Sequence, residues 1–197
     1  MHRVWEASIC YILLPNRGKA SCAGEQVSRW AVLSENRVLS PLPLTIKMSQ
    51  QQVFEQSIQI NAPATVVEHC IADRVLMHRW LNPALRCDPV GEWSTDMGSR
   101  SRFVIEVPLL QPTLESTVVE REPGLIVWEF DGFFKGRDRW ECQPIEKGTR
   151  LLNRFEFEVP NPIIRWGFNT FAAALTQQDM QAQLRRLKRV AEGQIGK

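Results

Sequence analysis

Two polar residues, Asp138 and Asn153, occupy positions where strand alternation sets them among apolar neighbours. In the stretch from Arg137 to Gln143, Asp138, Trp140 and Cys142 share one side; Asn153 shares a side with Leu151, Phe155 and Phe157. A buried Asp–Asn pair could orient a ligand hydroxyl or carbonyl. A carboxylate whose pKa is raised by desolvation could act as a general base for an aldol-type cyclisation, which makes Asp138 the candidate catalytic residue. The competing reading has Asp138 near its strand end, paired with Arg137, Arg139 or water, because a buried unpaired carboxylate is costly.

Other chemistry finds little support. The three histidines, His2, His69 and His78, form no H-E-x-x-H, and neither G-x-S-x-G nor a glycine-rich phosphate loop occurs. Cys10, Cys22, Cys70, Cys87 and Cys142 are an odd, scattered set without C-x-x-C spacing, so neither a zinc site nor a disulfide framework is expected. The expectation is therefore no metal and no cofactor. Cys70 and Cys142 fall on predicted core faces, where a free thiol behaves as a small apolar group; a reducing compartment, the cytoplasm, follows.

The elements that carry these residues are read from period. Phe54, Ile58 and Ile60 share one face of a strand that only Gln56 interrupts, and Asn61-Ala62-Pro63 then halts it, with Asn61 placed to cap a helix. Val66, Val67, Cys70 and Ile71 make a helical stripe, and Val75, Leu76, Trp80 and Leu81 a second short helix closed by Asn82-Pro83. Strands are predicted at 86–92, 100–107, 113–121, 124–130, 136–144 and 149–158, separated by short turns, as in antiparallel hairpins. Ser101, Phe103, Ile105 and Val107 form one buried face. After Pro160-Asn161-Pro162 a helix runs from Ile163 to Glu192, with Ile164, Phe168, Phe171 and Leu175 on one stripe and Met180, Leu184, Leu187 and Ala191 continuing it; Gly193 ends it.

In such a meander alternate turns fall at the same end of the sheet. The turns after 107 and 130 and the exit after 158 therefore lie together, and they carry Leu109, Leu110, Phe133, Phe134, Ile163, Ile164 and Trp166 where polar residues are usual. Two readings stand: a mouth that a lipophilic molecule crosses, with transient membrane contact, or a plug folded inward.

Residues 1–47 hold no sustained period. They match a secretory signal poorly, since Glu6 sits in the leader and Arg17 and Lys19 replace a small-residue cleavage site; a transit peptide is a further reading. The reading adopted is a disordered leader or mis-assigned N-terminal extension, with the domain proper at 48–197. The chain has 24 basic and 22 acidic residues; the first 47 hold 6 and 3 of these, leaving 18 against 19. A domain so balanced gives no reason to expect nucleic-acid binding, and the Arg185-Arg186-Leu187-Lys188-Arg189 cluster reads as a solvated helix end. No apolar stretch approaches the roughly 20 residues a membrane span needs.

The order strand, two short helices, six antiparallel strands, long helix, with "SIQINAPATVVEHCIAD", "LIVWEFDG" and "GTRLLNRFEFEVP" in sequence, resembles the START-like (SRPBCC) superfamily, which includes polyketide cyclase/dehydrase and coenzyme-Q-binding proteins. The resemblance spans Val53 to Glu192. It implies an α+β helix-grip fold: a curved antiparallel sheet of about seven strands wrapped around a long C-terminal helix. It further implies an apolar cavity, for which the inward positions are Phe103, Ile105, Trp128, Phe130, Trp140, Asn153, Phe155, Phe157, Phe168, Phe171 and Leu175. The function expected is binding or transfer of a small hydrophobic ligand, such as a lipid, quinone or polyketide. The alternatives are a cyclase/dehydrase using Asp138 and a protein-interaction module using the apolar end. Nothing in the sequence fixes an oligomeric state.

Overall fold

The computed structural model describes residues 51–106, 111–132, 134–160 and 173–195. Strand β1 (Gln52–Ile60) is followed by helices α1 (Ala64–Ala72) and α2 (Arg74–Trp80). Strands β2 (Leu85–Pro89), β3 (Arg100–Ile105), β4 (Thr113–Glu122), β5 (Leu125–Gly132), β6 (Lys135–Ile145) and β7 (Gly148–Glu158) come next, and then helix α3 (Ala173–Glu192). The strands form one antiparallel sheet in the order β1-β7-β6-β5-β4-β3-β2, with the first and last strands of the chain paired to each other. The α+β architecture expected from the sequence is the one observed. The predicted helix from 163 is described from 173 onward; its earlier residues lie outside the described ones, as does the leader.

Alternation drives the layering. On β1 the even-numbered residues turn inward and the odd ones outward, and on β7 Leu151, Asn153 and Phe157 are buried while Arg154 and Glu158 are exposed. The main core joins Ile60, Val118, Ile126, Trp128, Trp140, Cys142 and Leu151 of the sheet to Val67, Cys70 and Ile71 of α1, Met77 and Trp80 of α2, and Leu184, Leu187 and Ala191 of α3. All three helices thus cover the same face of the sheet.

Local details correct three expectations. Asn61 does not cap α1: Pro63 is the N-cap residue, its carbonyl accepting from the amides of Val66 and Val67, and the Asn61 amide instead donates to Glu192 at 2.9 Å. Proline's fixed backbone suits that entry, and the C-terminal helix uses the amide left over. In α2, Val75 is 74% exposed and Met77 takes the core position at 3%, because Asp73 starts the helix by accepting from the Leu76 amide and so sets its phase. Strand β2 ends at Pro89, short of the expected 92.

A partly buried ion pair locks the helical layer to the far end of the sheet. Beyond a bulge between Val118 and Glu120, Arg121 turns to the helix side and meets Glu68 of α1 at 2.6 Å. The other Glu68 oxygen accepts from the Gly124 amide, and the Gly124 carbonyl in turn accepts from Cys142. Glu68→Ala should cost about 2 kcal/mol in denaturant unfolding, since it deprives the Arg121 guanidinium, 23% exposed, and the Gly124 backbone amide of the carboxylate they share. Glu55→Ala, which removes the solvent-facing partner of Arg154, should cost under about 0.5 kcal/mol. Equal losses would show that the anchor adds nothing.

Candidate functional site

The alternation that places Asp138 inward holds. It stands on β6 opposite Trp128 of β5 and Phe155 of β7, and Asn153 stands opposite Trp140. The Asn153 amide donates to Asp138 Oδ1 at 2.6 Å and the Trp140 indole N–H donates to Asp138 Oδ2 at 2.8 Å. The alternative pairing with Arg137 or Arg139 is not formed: Arg137 binds Glu129 and Arg139 binds Glu120 and Glu141 on the opposite face. Strand geometry decides this, because residues adjacent to Asp138 must point away from it.

Burial pushes the Asp138 carboxyl up from its ordinary 3.8 to about 6, while the hydrogen bonds from Trp140 and Asn153 partly oppose the rise. Both donors are neutral. A carboxylate has about four lone-pair sites, so two acceptor positions remain beyond those the protein fills. The group can accept a ligand hydroxyl and, with a pKa brought toward neutrality, can exchange a proton with it.

Asp138 lies at a seam between two apolar bodies. On one side Trp128 and Trp140 belong to the main core, with Trp80 of α2 packed on Trp140 at 5.2 Å between ring centres. Trp80 is itself held by its indole N–H on the Cys70 carbonyl, and its own carbonyl accepts from Arg186 of α3. On the other side Phe130, Phe157 and Val159 form a second buried cluster against which Phe54, Phe134 and Phe155 pack. Phe130 and Phe155 come from strands either side of β6 yet stack at 5.2 Å and 17°. Gly136, opposite both Phe130 and Phe157, carries no side chain to separate them.

Of the remaining inward positions, Ile105 is buried and Phe103 half-buried against the main core. Phe168 and Phe171 lie outside the described residues, as does the side chain of Leu175. At the sheet end expected to form a mouth, Phe134 is half-buried and meets Phe157 edge-on at 5.3 Å. Leu109, Leu110, Phe133, Ile163, Ile164 and Trp166 lie outside the described residues. A shallow cleft of about 580 Å³ lined by Asn61, Pro63, Ile145 and Gly148 sits at the opposite end, by the β6–β7 turn, away from Asp138.

Sequence reasoning placed Trp140 and Gln56 on inner faces without finding their polar roles, and did not single out Ser116. Trp140 is the second donor to Asp138, and its spacing of two residues on one strand face was the available signal. Gln56 lies opposite Asn153, where it interrupts an otherwise apolar face, and its Nε2 donates to the Gln177 carbonyl of α3 at 3.0 Å. Ser116, 2% exposed, lies between Ser101 and Phe130 in register. Cys70, Cys87 and Cys142 are buried free thiols; burial raises all three, to about 11 for Cys87 and about 12 for Cys142, so they serve as packing groups. Among the described residues no cluster of three metal-ligating side chains exists, and no helix is long and apolar enough to cross a membrane.

Residues 51–192 match the family profile described as polyketide cyclase / dehydrase and lipid transport. Solved structures of similar fold include the Zhui aromatase/cyclase from Streptomyces sp. R1128, at 16% identity and TM-score 0.59 over 74% of this chain and 96% of that one. The protein TTHA0849 from Thermus thermophilus matches at 18% identity and TM-score 0.55, over 74% and 99%. Ara h 8.0201 matches at 11% and 0.54, over 73% and 99%. No protein of curated function matches significantly in sequence. Identities this low carry the fold alone.

Proposed function

Given that the chain belongs to the polyketide cyclase/dehydrase and lipid transport family, we propose that it binds a small hydrophobic ligand bearing a polar group against the inner face of its sheet. The observation that carries this reading is the Asp138 carboxylate, held between Trp128 and Phe155 by two neutral donors. Aromatic surface supplies affinity without direction, and one fixed polar point supplies orientation. A polyketide-like compound, a lipid or a quinone fits such a face where it carries a hydroxyl to donate to Asp138. Ligand entry is proposed at the sheet end of the β5–β6 turn, beside Phe134, with transient contact with a membrane there delivering the ligand. The three buried thiols suit work in the cytoplasm.

A second reading has support from the same group. With its pKa brought to about 6, Asp138 is suited to general acid–base chemistry on a bound carbonyl compound, as a cyclase or dehydrase requires.

Native mass spectrometry of the protein isolated from its own source tests the first reading: a stoichiometric organic mass should co-purify. If the protein arrives empty and also takes up no quinone, polyketide or lipid from a panel, ligand binding is refuted. Asp138→Asn separates the two readings. It should leave ligand uptake within a few-fold of wild type in a pure binder and lower turnover by roughly 10²-fold or more in an enzyme.

A further inference from the structure

Resting on the binding reading, we propose that the inner face selects uncharged, hydroxyl-bearing ligands, phenols, enols or alcohols, and discriminates against carboxylate and phosphate lipids of the same size. The polar groups left over on this face can all accept, and only the Ser116 hydroxyl also donates. Asp138 keeps two acceptor positions beyond those filled by Trp140 and Asn153. Gln56 Oε1 is buried without a hydrogen-bond partner in the protein. Its Nε2 is committed to the Gln177 carbonyl, which only a donor can satisfy, so the orientation of the amide follows and the oxygen stands free to accept. Ser116 Oγ is likewise buried and unpartnered, and a hydroxyl can turn to accept or donate.

Charge closes the case. The strand arginines 102, 137, 139 and 154 pair with glutamates on the outer face. Arg121 does turn to the helix side, but it is bound to Glu68 at 2.6 Å. On α3, Arg186 is directed to the Trp80 carbonyl and Asp179, and Lys188 to the Gln59 carbonyl and Glu192. Among the described residues no unpaired cation stands beside Asp138. A carboxylate or phosphate ligand would therefore meet a like charge in a desolvated setting, whereas a hydroxyl meets acceptors that the protein leaves unmatched.

The test is a matched series on the wild-type protein at neutral pH, followed by tryptophan fluorescence and calorimetry: 2-naphthol against 2-naphthoate, and oleyl alcohol against oleate. Each alcohol should bind at least tenfold more tightly than its anion. In Asp138→Asn the gap should shrink to within about threefold, chiefly by improved binding of the anions. An anion bound as tightly as its alcohol in either pair overturns this inference and leaves the binding reading standing. Failure of all four to bind sinks both. The wild-type comparison decides without reliance on the variant's folding.

Discussion

Between about pH 4 and pH 8 the wild-type protein should lose about 3 kcal/mol of stability relative to Asp138→Asn, the whole loss centred between the ordinary and the folded-state pKa of this one carboxyl. The sign follows from proton counting. Burial raises the Asp138 pKa from 3.8 to about 6, so between those values the folded chain holds a proton that the unfolded chain has released. Stability associated with the protonated carboxyl is fully present below about pH 4 and is lost as the pH rises through about 6. Every other carboxylate is common to both proteins, so the difference isolates position 138. Urea unfolding of both proteins at half-unit pH steps gives the curve. A difference constant to within about 0.5 kcal/mol would mean that water reaches the carboxylate and that the inner face is wetter than its aromatic neighbours imply.

Gly136→Ala should be the most damaging single methyl in the domain, at about 3 kcal/mol or more by denaturant unfolding. A Cβ there would stand 1.9 Å from the Glu156 carbonyl oxygen and 2.7 Å from the Phe157 Cα, both backbone atoms of the neighbouring strand that cannot step aside singly. Gly98→Ala offers the comparison. Its φ of +85° penalises a side chain but nothing lies within 4 Å of the added carbon, so about 1 kcal/mol is expected. If the two variants unfold alike, strand β6 has slack that the register does not suggest. If Gly136→Ala folds, loss of the Phe130–Phe155 stacking should appear as altered near-ultraviolet circular dichroism.

The strand order, hairpin turns and Asp138–Asn153 contact were legible because a period of two is a local property, and two adjacent strands with known faces leave few ways to pair. Asn153 could be matched to Asp138 for that reason alone. The phase of α2 was not legible: Val75 and Met77 are equally apolar, and the choice between them depends on which residue caps the helix. The Glu68–Arg121 anchor was hidden for a different reason. It exists only because a bulge at Val118/Glu120 reverses the facing of Arg121, and no residue type marks that bulge. Gln56 was visible as a polar break in an apolar face, but its use depends on where α3 passes, which lies more than 100 residues away.

The pairing of the first strand with the last has a consequence during synthesis. Val53 is in register with Glu156, so β1 leaves the ribosome with its partner about 100 residues behind, a wait of roughly 5–20 s at about 5–20 residues per second. Throughout that interval Phe54, Ile58 and Ile60 are an unpaired apolar strand face. The polar residues that alternate with them, Glu55, Ser57 and Gln59, keep one side of the nascent segment wetted, while α1 and α2 emerge next as the nearest apolar cover. The order of emergence thus leaves the earliest strand exposed until the last strand of the sheet has been made.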